Sequence, residues 1–278
     1  MSIPADVLDG VQRQLGEVLR FQTVGGGCIN HGGKLETRNG TYFLKWNSAT
    51  QYKGMFKAER SGLALLRDTH TLHIPSVVLL DENIDYQWIV MEWVEARPKL
   101  KDYWKVLGEQ LARLHQHTHS AFGLDHDNYI GSLPQRNEPR HSWVEFFVHE
   151  RLQPQLRKVN PPPRLQKQFE QLYAKLPQLM PEERPSLLHG DLWSGNLMTN
   201  ARGLPCLIDP AVYYGHREAE LAFTKLFGGF ADGFYDAYAN TWALQNEFEG
   251  RVDVYNLYPL LVHANLFGGG YRSRCRVS

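Results

Sequence analysis

Three polar residues of the segment HGDLWSGN, residues 189–196, have types and spacing that suit phosphoryl-transfer chemistry. Asp191 is followed five positions later by Asn196 and preceded two positions earlier by His189. With this spacing the acid can face a substrate hydroxyl and accept its proton, while the amide oxygen turns back to coordinate Mg²⁺. A polar turn capped by the asparagine is the alternative. We predict Asp191 as the catalytic carboxylate and Asn196 as a metal ligand.

A second acidic residue, Asp209, follows Asn196 by thirteen positions and ends the apolar run CLI, residues 206–208. Kinases place another magnesium ligand after such a run. Here Pro210 and Ala211 replace the usual Phe-Gly, which indicates a rigid turn. A helix N-cap is the alternative interpretation of this carboxylate. The pairing with the preceding loop favours Asp209 as the second metal ligand.

A lysine and a glutamate near the N-terminus explain each other's position. Glu59 interrupts an apolar helical stripe that includes Phe56 and Leu63, where an unpaired charge is costly. Lys45, fourteen residues earlier, lies in the strand-like segment TYFLKW. An ammonium paired with this acid can also reach the phosphates of ATP. We therefore predict a contact between Lys45 and Glu59; an ordinary edge-strand lysine is the alternative.

The glycine-rich segment GGGCIN, residues 25–30, is a candidate phosphate-binding loop. Its glycines allow backbone N–H groups to approach phosphate closely, although the spacing G-x-G-x-x-G is incomplete. A simple hairpin turn uses the same residues and is an equal alternative. The predicted nucleotide contacts in this loop are Gly26, Gly27, Cys28, Ile29 and Asn30.

Cys28 also suggests a redox hypothesis, because a thiol beside phosphate-binding N–H groups can oxidise readily. An intermolecular disulfide would then switch activity, so the expected assembly is a monomer or a redox-dependent homodimer. An unreactive small residue is the alternative. The three cysteines, Cys28, Cys206 and Cys275, are odd in number and unrelated in spacing. This pattern favours reduced thiols over a disulfide framework or a zinc cage.

The segment VMEWV, residues 90–94, ends a continuous apolar stretch. Such a stretch predicts a strand buried on both faces. Backbone groups at its end would be available to the adenine edge of ATP, so Met91, Glu92, Trp93 and Val94 are candidate nucleotide contacts. A plain linker between lobes is the alternative, because backbone recognition leaves little trace in side-chain types.

Periodicity divides the chain into two parts. Residues 21–46 alternate apolar and polar positions around glycines and an Asn-Gly hairpin signal. Helical spacing marks residues 55–67 and dominates the chain beyond residue 95. We predict an α+β, two-lobed fold like that of protein kinases. Its small antiparallel β lobe would span residues 1–95, and its larger, mainly helical lobe residues 96–278.

Composition narrows the class of partner. Thirty basic residues balance thirty acidic ones, so no overall field favours nucleic acid or an anionic membrane. No segment reaches the roughly 20 apolar residues of a membrane span, and the N-terminus lacks an apolar core, so we expect a cytoplasmic protein. His115 and His119 would share a helix face but lack further metal ligands at suitable spacing. We interpret them as a solvated helix end rather than a zinc site.

The longer strings around these residues resemble the fructosamine/ketosamine kinase family, relatives of the aminoglycoside and choline kinases. The matching strings are HGDLWSGN, IDPAVYYGHRE, LFGGF, DNYIGS, WVEFF and NLFGGGY. The resemblance implies phosphorylation by ATP and Mg²⁺ of the sugar O3 of a ketosamine, small or protein-bound, whose product then breaks down and frees the amine. It implies Asp191 as the catalytic carboxylate, Asn196 and Asp209 as metal ligands, and Lys45 with Glu59 as the phosphate-orienting pair.

The resemblance also supplies candidates for the substrate site. Trp193 is expected to stack on the apolar face of the sugar; a core tryptophan at the lobe interface is the alternative. The candidate substrate residues are His189, Trp193, Asp127, Asn128, Tyr213, His216 and Glu218. Two rival functions stay open. One is a kinase for an aminoglycoside, choline or another small alcohol, which should line its acceptor site with several acids, and the other is a nucleotide-binding module without catalysis.

Overall fold

The N-terminal part of the chain forms an antiparallel sheet with a helix on each side. The computed structural model describes residues 2–24 and 30–268. In chain order the elements are α1 Ala5–Leu15, β1 Val18–Thr23, β2 His31–Thr37, β3 Gly40–Ser48, α2 Met55–Arg67, β4 Val77–Glu82 and β5 Tyr86–Glu92. The five strands have the order β1-β2-β3-β5-β4. The structure thus confirms the predicted small sheet and the helix predicted over residues 55–67.

Both faces of this sheet are buried, and this decides where Lys45 points. Trp88 of β5 packs in the cluster beneath α1, whereas its neighbour Ile89 packs in the larger core with α2. Leu44 and Trp46 of β3 also belong to the cluster beneath α1. Because side chains alternate along a strand, Lys45 lies on the opposite face, where α2 packs.

The rest of the described chain is mainly helical. A stretch without helix or strand, residues 93–100, follows β5 and contains the predicted lobe boundary. The later elements are α3 Tyr103–His115, β6 Asn128–Ile130, β7 Leu133–Gln135, α4 Trp143–Phe146, α5 Gln153–Val159, α6 Pro163–Leu179, β8 Ser186–Leu188, β9 Leu197–Thr199, β10 Pro205–Leu207, β11 Tyr213–Gly215, α7 Arg217–Leu226, α8 Asp232–Thr241, α9 Phe248–Tyr255 and α10 Leu257–Phe267. A π-helical turn, Phe147–Leu152, joins α4 to α5. The small β part and larger helical part together form the predicted α+β fold.

Two short strand pairs place the candidate catalytic segments side by side. β8 pairs with β11, and β9 pairs with β10. The loop from β8 to β9 and the segment from β10 to β11 therefore connect the same two ribbons. Backbone hydrogen bonds join them: the Ala211 N–H donates to the His189 carbonyl at 2.9 Å, and the Ile208 N–H donates to the Asn196 carbonyl at 3.1 Å. Asp209 is thereby held next to the catalytic loop.

The described residues contain one cysteine, and none of their helices is suited to spanning a membrane. Cys206 in β10 is a buried free thiol, whereas Cys28 and Cys275 lie outside the described residues. Within residues 2–24 and 30–268, no helix has both the length and the apolar character that crossing a bilayer requires.

Candidate active site

A buried lysine joins the sheet to the segment after β10. Lys45 Nζ lies 2.8 Å from Glu59 Oε1 and 2.5 Å from Asp209 Oδ1. Burial by itself lowers the pKa of Lys45, but the charges of the two carboxylates outweigh it and raise that pKa above its ordinary value. The structure therefore brings together Lys45 and Glu59, as predicted, and adds Asp209 to the same ammonium group.

The loop between β8 and β9 brings Asp191 and Asn196 into contact. Asn196 Nδ2 donates to Asp191 Oδ2 and to the Asp191 carbonyl, both at 2.9 Å. Gly190 permits this turn, because its φ is +83° and a Cβ at this position would lie 2.0 Å from the Ala211 carbonyl oxygen. A side chain at position 190 would separate the loop from the segment that carries Asp209.

Asp191 is half-buried in the cavity, and its environment favours the protonated carboxyl. Burial raises the pKa of Asp191 to about 7, against the lowering effect of the hydrogen bond from Asn196. The negative charges of Asp209 and Glu220 add to the increase. A carboxyl group with a pKa near neutrality suits a residue that must accept and then release a proton.

A buried glutamate that the sequence analysis missed holds the catalytic loop in place. Glu220 on α7 accepts the Gly190 N–H at 2.6 Å and the His189 N–H at 3.1 Å, and it contacts His115 Nε2 at 2.9 Å. Burial raises the pKa of Glu220, but the contact with His115 and the further hydrogen bonds outweigh burial and lower it. An anion beneath two backbone N–H groups makes strong hydrogen bonds. Glu220 therefore fixes the turn that carries Asp191.

His115 is buried, so its interpretation as part of a solvated helix end is wrong. Its Nδ1 contacts the Tyr238 hydroxyl of α8 at 2.8 Å, while Nε2 contacts Glu220. The end of α3 is covered by other helices, which the local sequence does not reveal. His119 stacks on Tyr214 with ring centroids 4.7 Å apart. In the part of the chain that the structure describes, no three His, Cys, Asp or Glu side chains are grouped to hold a metal ion.

Asn196 and Asp209 nevertheless both line one cavity, where an amide and a carboxylate could hold a metal ion. The Asp209 side chain is 45% exposed, whereas Asn196 is buried. Sites of this kind usually hold Mg²⁺ through one or two protein oxygens, and substrate phosphates and water complete the octahedron. The donor types therefore fit Mg²⁺ that binds together with a nucleotide.

The cavity has a volume of about 540 Å³ and extends from the sheet to α10. We call the part lined by Lys45, Glu59 and residues 91–94 the nucleotide end. The predicted residues Met91, Glu92, Trp93, Val94 and Asn30 all line the cavity. The other predicted contacts, Gly26, Gly27, Cys28 and Ile29, lie outside the described residues.

Three candidate substrate residues, Asn128, Trp193 and Tyr213, line the same cavity. Trp193 is 39% exposed and lies over Gly195, where a Cβ would be 2.3 Å from the indole ring. This exposure fits a substrate-stacking surface and does not fit a core tryptophan. Asn128 supports the cavity wall, because its Nδ2 donates to the Val212 carbonyl at 2.7 Å.

His189 lies beneath the loop rather than at the cavity surface, so its assignment to the substrate site is corrected. The side chain is fully buried. Its Nε2–H donates to the Ile208 carbonyl at 2.9 Å, and Nδ1 accepts the Asp191 N–H at 3.3 Å. His189 is a positioning residue, because it joins the loop to the segment after β10. Asp127 is exposed and accepts the Asn137 N–H at 2.8 Å, which makes it a turn-stabilising residue.

His216 and Glu218 are also structural rather than substrate residues, which is a second correction. Both are completely buried. His216 is the N-cap of α7: its Nδ1 accepts the Glu218 N–H at 3.2 Å, and its Nε2 donates to the Pro181 carbonyl at 3.2 Å. Glu218 accepts two hydrogen bonds from Arg251, at 2.7 and 2.6 Å. Their partners therefore lie in the surrounding helices and loops.

A small β part, a larger helical part and acidic and amide ligands around one cleft define a kinase-like phosphotransferase. The chain matches the fructosamine kinase family model over residues 3–277 and belongs to that family. It is 38% identical over 278 residues to a Synechocystis protein assigned as a ketoamine kinase, covering 96% of this chain and 92% of that protein. It is 35% identical over 279 residues to ketosamine-3-kinase of Mus musculus, covering 89% and 90%. A Thermobifida fusca crystal structure assigned as a fructosamine-3-kinase has 34% identity and a TM-score of 0.88, with 97% and 95% covered.

Proposed function

We propose that this protein transfers the γ-phosphoryl group of ATP to O3 of a ketosamine, a sugar joined to an amine by glycation and rearrangement. The observation that carries the proposal is the convergence of Lys45, Asp191 and Asp209 on one cavity. The names of the ketoamine and ketosamine kinase relatives support the acceptor class. A cytoplasmic location is part of the same proposal.

Each residue at the site has a defined task in this reaction. Lys45, held by Glu59, contacts the phosphates. Asn196 and Asp209 would hold Mg²⁺, which would supply neutralisation of the phosphate charge. Asp191 orients the O3 hydroxyl and accepts its proton as the new O–P bond forms and the bond to the ADP oxygen breaks. Because the transition state of phosphoryl transfer is loose, positioning and charge neutralisation provide most of the catalysis.

Trp193 is the proposed sugar contact. Its exposed indole lies two residues from Asp191 and lines the same cavity, so a sugar stacked on it would present a hydroxyl to the carboxylate. A module that only binds nucleotide would have no use for this arrangement, because the residues for both metal binding and proton transfer are present. The site therefore favours an enzyme over a non-catalytic module.

The test is a panel of ketosamines with one amine and three sugars: ribulosamine, erythrulosamine and fructosamine. Each is incubated with ATP and Mg²⁺, release of ADP is measured, and the product is assigned by NMR. We expect phosphate on O3 for at least one sugar. Transfer only to an aminoglycoside or choline would support the rival kinase, and ATP binding without transfer to any acceptor would support the non-catalytic module.

A further inference from the structure

The cavity is also lined by aromatic and aliphatic side chains of the helical part, which come from the π-helical turn, α7 and α10. We call this part of the cavity the acceptor chamber and define it by Phe147, Ala219, Phe223, Tyr258, Val262 and Leu266. Trp193 connects the catalytic loop to this chamber through Phe227. The ring centroid of Phe227 lies 6.2 Å from that of Trp193 and 5.9 Å from that of the chamber residue Phe223. None of the six chamber residues carries a charge.

The carboxylates that line the cavity are nearly all engaged elsewhere. Within the described residues they are Glu59, Glu92, Asp191, Asp209 and Glu220. Glu59 and Asp209 contact Lys45, and Glu220 is buried beneath the catalytic loop. The Glu92 carboxylate accepts the Ser76 N–H at 3.2 Å. Of these five described carboxylates, Asp191 is the one that the proposed function assigns to the acceptor, where it serves the reacting hydroxyl.

The described basic side chains that line the cavity also leave the chamber without a charge. Among the described residues that line the cavity, Lys45 is the single lysine and there is no arginine. Lys45 lies at the nucleotide end. His263 of α10 also lines the cavity, but burial lowers its pKa, which favours the neutral imidazole. The described residues that line the acceptor chamber therefore offer no formal charge of either sign to a ligand at neutral pH.

Because the chamber residues are uncharged, the site should distinguish ketosamines by the charge and polarity of the substituent on the amine. The amine nitrogen is attached to C1 and lies near O3, so it remains within reach of the Asp191 carboxylate. With the sugar stacked on Trp193, the group beyond the nitrogen would enter the chamber, because Trp193 and the chamber residues line one cavity. There an unpaired charge is costly and each buried CH₂ group contributes roughly 0.8 kcal/mol. Building on the proposed function, we propose that the chamber takes the amine substituent and prefers an uncharged, apolar or aromatic one.

The first test is a series of ketosamines with one sugar and four amines. Benzylamine and butylamine carry apolar groups, glycine carries a carboxylate, and 1,4-diaminobutane carries a second ammonium. We expect kcat/KM for the benzylamine adduct to exceed that for the glycine and diaminobutane adducts by about tenfold or more, as roughly two buried methylene groups would produce. Equal or better use of either charged adduct would overturn the inference. Failure to phosphorylate any adduct would instead count against the proposed function.

The second test introduces a charge into the chamber. Leu266 is only partly buried, so Leu266→Glu and its neutral match Leu266→Gln should fold. Relative to Leu266→Gln, we expect Leu266→Glu to raise the diaminobutane-to-benzylamine ratio of kcat/KM by about tenfold, because a new carboxylate can pair with the second ammonium. An unchanged ratio would overturn the placement of the amine substituent beside α10, and an unchanged ratio at position 219 as well would overturn its placement in the chamber.

A second pair of variants, on α7, repeats this test at a position outside α10. Ala219 on α7 also lines the chamber and is partly exposed. Ala219→Asp compared with Ala219→Asn should shift the same ratio in the same direction. Circular dichroism of each variant establishes that it is folded before kinetics are measured. A shift at position 219 and none at position 266 would restrict the substituent to the α7 side and overturn the assignment to α10.

Discussion

The two ends of the active-site cavity differ in the charge of the side chains that line them. At the nucleotide end, Lys45 lies within 2.8 Å of Glu59 and 2.5 Å of Asp209, so buried charges are paired with one another. In the acceptor chamber, the described lining residues are aromatic and aliphatic and leave no charge to be paired. Asp191 lines the same cavity. In the proposed function, the first end binds phosphate and metal, whereas the second binds the acceptor through shape and apolar contact.

The difference shows which part of the site is general and which is particular. A triphosphate with Mg²⁺ always presents the same charges, so a lysine, an amide and carboxylates at fixed positions suffice to bind it. The acceptor varies, and its recognition depends on side chains from α7, α10 and the π-helical turn. Variants that act on one end but not the other can test this division.

The largest effect is expected for Asp191→Asn, because in the proposed function this residue serves the reacting hydroxyl. Removing the proton acceptor should lower kcat by about 10²- to 10⁴-fold. ATP affinity should hardly change, since the asparagine keeps the size of the side chain and the lysine pair is untouched. Turnover is measured by release of ADP and affinity by calorimetry. A kcat within about tenfold of wild type would exclude this role.

The next effect concerns Glu220, which lies beneath the catalytic loop. Glu220→Gln should lower kcat roughly tenfold to hundredfold, because hydrogen bonds to a charged group contribute about 1.5–3 kcal/mol. The KM for ATP should change less than kcat, since Lys45 and Asp209 do not contact this residue.

The matched control for Glu220→Gln is Glu218→Gln on the same helix. Glu218 pairs with Arg251 and does not contact the catalytic loop, so its variant should lose stability but not kcat per folded molecule. Similar losses of kcat in both variants would show that α7 acts only through folding. The stability of each variant is measured by urea unfolding.

A smaller effect, confined to the nucleotide end, is expected for Glu59→Gln. The amide can still accept from Lys45, but a neutral acceptor makes a weaker hydrogen bond, so kcat/KM for ATP should fall about tenfold. The exposed pair between Lys57 and Glu82 supplies the control, because Glu82→Gln should leave kinetics unchanged. The preference among amine substituents should stay the same in both variants. A changed preference would break the division between the two ends.

The smallest effect concerns pH and stability beneath the site. Burial lowers the pKa of His216, so the folded state binds this proton less readily than the unfolded chain does. Below pH about 6.5 the unfolded chain therefore binds more protons at this position, and the stability that His216 contributes falls with pH, by at most about 1.4 kcal/mol per pH unit. Above that pH its contribution is fully present.

His216→Asn isolates this effect, because asparagine is also a good N-cap. Asp191, whose pKa is raised to about 7, acts in the opposite sense in both proteins and cancels in the comparison. The loss of unfolding free energy caused by His216→Asn should therefore shrink as pH falls from 7 to 5.5. A constant difference across this range would show that His216 is not held neutral.

The sequence predicted helices and strands correctly where the spacing of apolar residues within one element marks its buried face. The stripe containing Glu59 predicted α2, and the continuous apolar run predicted a strand buried on both faces. Predictions were wrong where burial depends on distant segments. His115 was interpreted as solvated, yet its partner Glu220 is 105 positions away. Glu220 itself gave a usable signal in the sequence, since the apolar Phe223 follows it at i+3, as Leu63 follows Glu59 at i+4.

The sequence alone determined the chemistry that short spacing can impose. Five positions suffice to bring Asn196 back onto Asp191, because the 3₁₀ turn Ser194–Asn196 closes the loop between them. Tertiary structure decided which other charges join them and which are already engaged. Lys45 and Asp209 meet across 164 positions, and the uncharged chamber is assembled from separate helices. Such contacts depend on how elements pack, because no local pattern specifies which faces will meet.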